Sequence, residues 1–197
     1  MASLLEQLAN DKVRKVLRVL EATKSTYYLP FSRLLKEVQA ASLEAEDISK
    51  HLKPLKNVLA KYFPPPSFVD VSKSFGPVMH TLLLIWKHSG YYNTNIRLHV
   101  FLEKFCNDVI IVGQEFLKQF DVLRLEPEVV EGHIRTCLKV CAALKGATYS
   151  YGNRSENECP DNKWDLQDTV FGPLDTFLER CHDLLDLVQT TSQLYSL

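Results

Sequence analysis

Glycine is scarce in this 197-residue chain, at 7 residues, and alternating β-branched segments are missing. Both absences weigh against a β-rich fold, which needs period-two alternation and glycine-bearing turns. Long apolar runs are missing too. The longest, near TLLLIW at residues 81–86, falls far short of the ~20 residues that span a bilayer. Nor does one sign of charge dominate. The formal net charge is −1, which argues against broad electrostatic capture of nucleic acid or acidic membrane. Met1 is followed by an amphipathic pattern and not by the apolar block of a signal peptide. The five cysteines, Cys106, Cys137, Cys141, Cys159 and Cys181, are odd in number and fit no common disulfide framework. These features predict free thiols in a reducing compartment. Without a secretory signal, the sequon Asn153-Arg154-Ser155 reads as chance.

Motifs of chemistry are also missing. Neither GxxxxGK[ST] nor GxGxxG occurs, so no phosphate-binding loop is predicted, and HExxH is absent. His133, Cys137 and Cys141 share a helical face, but a zinc site needs a fourth ligand, and both cysteines also fit an apolar stripe. His88 and Ser89 beside Cys106 lack the nucleophile turn and oxyanion donors that acyl transfer needs. Glu44, Glu46 and Asp47 read as acids near the positive end of a helix dipole. No catalytic, cofactor-binding or metal-ligating residue is assigned, and the chain is expected to be neither an enzyme nor a cofactor protein.

What is present is a packed core and a helical period. Apolar residues make up 46% of the chain, enough to exclude disorder. Ser3-Leu4-Leu5-Glu6 fits a capping box. Leu5, Leu8, Val13, Val16, Leu17 and Leu20 follow at helical spacing, and Pro30 in STYYLP closes that element. Phe31, Leu34, Leu35 and Val38 predict a short helix. Another starts near Ser42 or Glu44 and carries Ile48, Leu52, Leu55, Val58 and Leu59, with a kink or break at Pro54. The FPPPS stop at residues 63–67 is stiff and extended. Val71, Phe75, Val78, Leu82, Ile85 and Trp86 form the next stripe. Phe101, Phe105, Val109, Val112, Phe116 and Phe120 form a ladder on a helix apolar over much of its circumference, and so expected to be the most buried. Glu126-Pro127-Glu128 is a helix start, followed by an inner face of Val130, Ile134, Cys137, Leu138, Cys141 and Leu144. The polar residues 149–163 read as the longest loop. Gly172-Pro173 opens the last helix, with Leu174, Phe177, Leu178, Cys181, Leu185 and Val188 on one side. The predicted fold is all-α, an elongated antiparallel multi-helix bundle. It forms one region over residues 1–197, with a sub-bundle break near 63–67.

Charge is uneven along this bundle. Residues 1–62 carry 11 Lys+Arg and 7 Asp+Glu, whereas residues 121–197 carry 7 and 13. Solvated helix faces account for both ends. Between residues 82 and 107 a polar and aromatic knot, KHSGYYN, separates two apolar helices. It reads as a corner: Gly90 ends one helix in the left-handed conformation, Asn93 caps the next, and Arg97 reaches the last carbonyls. Trp86, Tyr91 and Tyr92 fill the corner while their polar atoms meet backbone groups. Trp86 is expected against Phe101 and Phe105.

Three segments carry a resemblance. IWKHSGYYNTNIRL resembles the Ile-Trp-x-x-Ser-x-x-Tyr-Asn…Arg segment in the N-terminal tail region of dynein heavy chains, through Ile85, Trp86, Ser89, Tyr92, Asn93 and Arg97. FSRLLKEVQAASLEAEDISKHLKPL is similar to a tail stretch with Glu-Ala-x-Asp and Leu-x-x-Leu, through Glu44, Ala45, Asp47, Leu52 and Leu55. WDLQDTVFGPLDTFLERCHDL resembles the family's Trp-Asp-Phe…Phe-x-x-Leu-Asp-x-Phe-x-x-Arg run. Trp164, Asp165, Phe171, Leu174, Asp175, Phe177 and Arg180 match it, and Leu166 replaces one aromatic. The segments follow the family order, and axonemal heavy chains fit more closely than cytoplasmic ones. Such chains run to thousands of residues with a C-terminal AAA+ motor, so the resemblance implies a fragment, short isoform or truncated product without the ATPase. It implies a helical stalk that joins heavy chains, binds dynein intermediate and light chains, and docks on cargo or axoneme. The expected location is the cytoplasm and cytoskeleton, in the axoneme of a cilium or flagellum. The alternative is a free-standing helical adaptor, or a regulatory truncated product that modulates dynein assembly.

Overall fold

The computed structural model describes residues 10–63, 67–120 and 126–195. They form six α-helices and no strand: α1 (Asp11–Ala22), α2 (Tyr28–Tyr62), α3 (Ser72–His88), α4 (Asn95–Lys118), α5 (Pro127–Glu158) and α6 (Gly172–Tyr195). Single 3₁₀ turns at Phe68–Val71, Pro160–Asn162 and Asp168–Phe171 join them. The fold is the all-α bundle that the periodicity predicts. The N-terminal Ser3–Glu6 box, with Leu5 and Leu8, lies outside the described residues, as does the centre of the FPPPS link.

Successive helices run antiparallel. α3 and α5 run side by side in one direction, with Met79 beside Thr148 and Lys87 beside Glu158. α6 returns along α5, which brings Asp175 to Lys145 and Gln189 to Glu131. The core lies between α3, α4, α5 and α6, where Val71, Val78, Met79, Val109, Ile134, Leu144 and Leu174 are fully enclosed. α2 packs on α3, and α1 folds back on the start of α2.

The structure corrects two predicted breaks in the first half. α2 is one helix of 35 residues, with no new start at Ser42 or Glu44 and no break at Pro54. Pro30 sits in its first turn, where a missing N–H costs nothing. Pro54 is on the exposed side, where water satisfies the carbonyl that loses its partner. Read along one helix, Phe31, Leu34, Val38, Ala41, Ala45, Ile48, Leu52, Leu55 and Leu59 alternate steps of three and four. This is a heptad seam, which the expected breaks hide.

A third correction concerns residues 149–163. Most of that segment is helix, because α5 continues to Glu158. Its buried side simply changes from aliphatic to small residues: Thr148, Gly152 and Ser155 are buried at steps of four and three. Ser155 keeps its hydroxyl on the Gly152 carbonyl at 2.6 Å, and an Arg154–Glu158 pair one turn apart supports the outer face. A Cβ on Gly152 would stand 2.6 Å from Leu166 Cδ1, so glycine is what lets the following turn lie against the helix.

α4 is not buried all round. Leu98, Leu102, Phe105, Cys106, Val109 and Gly113 face inward, while Ile96, Val100 and Ile111 are exposed. On α3, Met79 and Leu83 enter the core, and Leu82 and Ile85 are half-buried instead. Both described flanks of the proline link rest on α4: Phe63 packs edge-on against Phe105, and Phe68 stacks on Phe116.

Candidate functional site

The α3–α4 corner is held from two sides. From α2, the Glu44 carboxylate reaches into the turn. It accepts the Ser89 hydroxyl and the backbone N–H groups of Gly90 at 2.9 Å, Tyr91 at 2.9 Å and Tyr92 at 3.3 Å. Ser89 Oγ in turn accepts from the Tyr92 N–H at 2.8 Å. Burial pushes the Glu44 carboxyl up, but the Ser89 hydroxyl and the three amides outweigh it, and the group ends below its ordinary value. Successive amides on one carboxylate form an anion nest, filled here by the protein's own side chain.

From the other side come the residues after α5. Trp86 is buried and donates its indole N–H to the Asn162 carbonyl. Its ring meets that of buried Trp164 edge-on, with centroids 6.3 Å apart. Asn162 Nδ2 donates to the Asn93 carbonyl at 3.0 Å, and the Asp165 N–H donates to Asn95 Oδ1 at 2.9 Å. His99 donates through Nε2 to the Asp165 carbonyl. The Trp164 N–H donates to Ser155 Oγ at 2.9 Å, which ties the segment back to α5. The Trp164 indole N–H is buried and has no hydrogen-bond partner among the described residues.

The corner differs from expectation in its details. No glycine among the described residues has a positive φ, so Gly90 is not left-handed; the carboxylate satisfies the turn that a left-handed residue would otherwise close. Thr94, not Asn93, occupies the cap position of α4. Asn93 instead turns its amide back to the Trp86 carbonyl at 3.5 Å. Arg97 is exposed and lies over the Tyr92 ring at 4.4 Å. The aromatic ring partner of Trp86 is Trp164, not the Phe101–Phe105 ladder.

The three segments singled out in the sequence thus meet. Glu44, then Trp86, Ser89, Tyr92, Asn93 and Arg97, then Trp164 and Asp165 surround one corner. Asp175, Phe177 and Arg180 lie elsewhere, on α6. Asp175 pairs with Lys145 at 2.6 Å. Buried Phe177 lies against Gly113, where an added Cβ would stand 3.3 Å from its Cζ. Arg180 is exposed. Sequence reasoning missed Asn95, His99 and Asn162, which belong to no periodic stripe or motif that marks them in the sequence.

Apart from the Trp164 indole N–H, the hydrogen-bonding groups named at the corner are bonded to one another, which is the arrangement of a staple. His133 stacks on Phe120 with centroids 3.6 Å apart, and no metal-holding cluster occurs among the described residues. Cys106, Cys137, Cys141 and Cys181 are buried without disulfides. Burial pushes the first three thiols up to about 12 and the fourth to about 11, which suppresses the thiolate that ligation or nucleophilic attack needs.

The sequence family described as dynein heavy chain, N-terminal region 1, matches residues 1–197. The chain belongs to that family. It is 41% identical over 192 residues to the dynein beta chain of the flagellar outer arm of Chlamydomonas reinhardtii, a match that covers 97% of this chain. The ciliary dynein beta chain of Heliocidaris crassispina is 32% identical over 95% of it, and human dynein axonemal heavy chain 9 is 32% identical over 97%. In each case the chain spans 4% of the relative's length. These dynein relatives are flagellar, ciliary and axonemal. The match is to the N-terminal region of a dynein heavy chain and not to its motor. Among the described residues, no helix is long and apolar enough to cross a membrane.

Proposed function

We propose that this dynein heavy chain N-terminal region is a non-catalytic assembly segment. It joins heavy chains, binds intermediate or light chains, or docks the tail on axoneme or cargo. The observation that carries the reading is the family match along the whole chain, combined with apolar faces that the bundle does not cover. α1 buries none of its residues, and Val16, Val19, Tyr27, Leu29 and Leu34 are exposed around its junction with α2. Trp86, Ser89, Tyr92, Asn93, Arg97, Trp164 and Asp165 serve in this reading as structural positions that fix the corner. Asp175, Phe177 and Arg180 do so on the packing of α6. The site of action is the axoneme.

A pull-down from extracts of ciliated cells, with the 197-residue chain as bait, tests this. Recovery of dynein heavy, intermediate or light chains is expected, along with no ATP turnover by the purified chain. Recovery of unrelated proteins without any dynein subunit would refute the assembly reading in favour of a free-standing adaptor. ATPase activity that copurifies with the chain would overturn the non-catalytic one.

A further inference from the structure

A groove runs beside the corner. Ala45 and Leu52 of α2 form one wall, Arg97 and Phe101 of α4 the other, and Ile85 and Trp86 of α3 lie beneath. Its volume is about 350 Å³. The lining is apolar except at the Arg97 end, and Leu52 is 41% exposed.

The groove continues the heptad seam of α2. On the first stretch of that seam, α1 sets Val16 and Leu20 beside Phe31 and Leu34. The seam therefore already accepts one helix. Beyond that contact it passes Val38 and Ala41, both half-buried, and enters the groove at Ala45. From Val38 to Leu52 it runs about 21 Å, at 1.5 Å per residue. Two alanines in succession allow a second helix to approach closely.

The charges say what kind of helix. Arg97 is exposed, and no carboxylate pairs with it among the described residues. Exposed Lys56, one turn after Leu52, and exposed Lys104, three residues after Phe101, extend the two walls. Glu44, at the groove's end, is occupied by its own four donors. The exposed acids of α4 near this wall are Glu103, beside Lys104, and Asp108, a turn beyond it, and Asp47 on α2 is paired with Lys50 at 2.6 Å. We propose that this groove docks an amphipathic helix of another protein, with apolar residues at heptad spacing and acidic residues on the flanks. The inference goes beyond the assembly reading and stands apart from it: peptide binding tests this one, and recovery of dynein subunits tests the other.

The probe is a labelled synthetic peptide of about three heptads, matched to the seam's length, with leucine at the seam positions and glutamate beside them. A twin carries lysine in place of glutamate. Fluorescence anisotropy against the full chain should show saturable binding of the glutamate peptide, at least about tenfold tighter than the twin. Leu52→Asp and Arg97→Glu should each weaken it at least about fivefold, while Val129→Asp on an exposed face of α5 leaves it unchanged. Circular dichroism melts report whether the variants fold; if either does not, Lys104→Glu on the exposed side of α4 keeps the test open and should also weaken binding of the glutamate peptide. Equal binding of both peptides overturns the proposal, as do groove variants that bind like the parent chain. Sedimentation gives the remaining outcome. If the parent chain self-associates and Leu52→Asp alone makes it monomeric, the occupant is a second copy and the proposal fails.

Discussion

Glu44→Ala removes the carboxylate that holds the α3–α4 turn to α2. Four donors lose their acceptor: the Ser89 hydroxyl and the amides of Gly90, Tyr91 and Tyr92. Gly90 and Tyr91 are exposed, and water replaces the carboxylate there at small cost. Ser89 is buried and its hydroxyl is the donor left short, whereas the half-buried Tyr92 N–H keeps Ser89 Oγ at 2.8 Å. A hydrogen bond to a charged acceptor contributes about 1.5–3 kcal/mol. One such bond, discounted for the partial exposure of Glu44, with small losses at the exposed amides, puts the loss at about 1–2 kcal/mol. Glu44→Gln keeps the shape but turns an amide N–H₂ toward donors, and should cost about half as much. The effect has a pH signature. The folded carboxyl titrates below the ordinary value of a glutamate, so its stabilisation is full above that value and is lost as pH falls through the folded pKa. Urea unfolding of parent and Glu44→Gln chains, from pH 7 down to about 3, should therefore show the two curves converging below about 4.5. A loss under about 0.5 kcal/mol for Glu44→Ala at pH 7, the size of an ordinary surface change, would refute the reasoning. So would a difference between parent and Glu44→Gln that does not change with pH.

Other expectations follow from the same geometry. Trp86→Ala should cost about 3–5 kcal/mol by denaturant unfolding, since it empties a buried site and orphans the Asn162 carbonyl; a loss below about 1 kcal/mol would mean the indole contributes little to the corner. Native thiol labelling should reach half-buried Cys159 first, while Cys106, Cys137, Cys141 and Cys181 react only on unfolding. Fast labelling of Cys137 with Cys159 protected would contradict the helix faces. Asp175→Asn should cost no more than about 1 kcal/mol, because its pair with Lys145 is partly exposed. A larger loss in thermal or urea unfolding would show that the pair is more than a surface contact.

Much of the fold was legible because a helix displays its buried face at a fixed period. The sequence reads Val130, Ile134, Cys137, Leu138, Cys141 and Leu144 as one inner face, and all are buried except Leu138, which is half-buried. The face expected of the last helix, Leu174, Phe177, Leu178, Cys181, Leu185 and Val188, is likewise buried except at half-buried Leu178. Reading failed where the buried face was not apolar. Thr148, Gly152 and Ser155 look like loop residues, yet they continue α5, because Leu166 and Trp164 pack closely on small side chains. It failed again at Pro30 and Pro54, since a proline's cost depends on its place in the helix and on which way any lost hydrogen bond faces, and one sequence position shows neither.

Period and local motif are properties of neighbouring residues, so the helical class, most of the inner faces and the family resemblance were legible without the fold. Tertiary structure alone decided what the motifs are for in the fold. Glu44 and Ser89 are 45 positions apart, and Trp86 and Asn162 are 76 apart. No periodicity links such positions. Only the packing of α2 on α3, and of α3 beside α5, brings a carboxylate to four donors and an indole to a carbonyl. The groove has the same origin: its walls belong to α2 and α4 and its floor to α3, so it exists only once those three helices are in place.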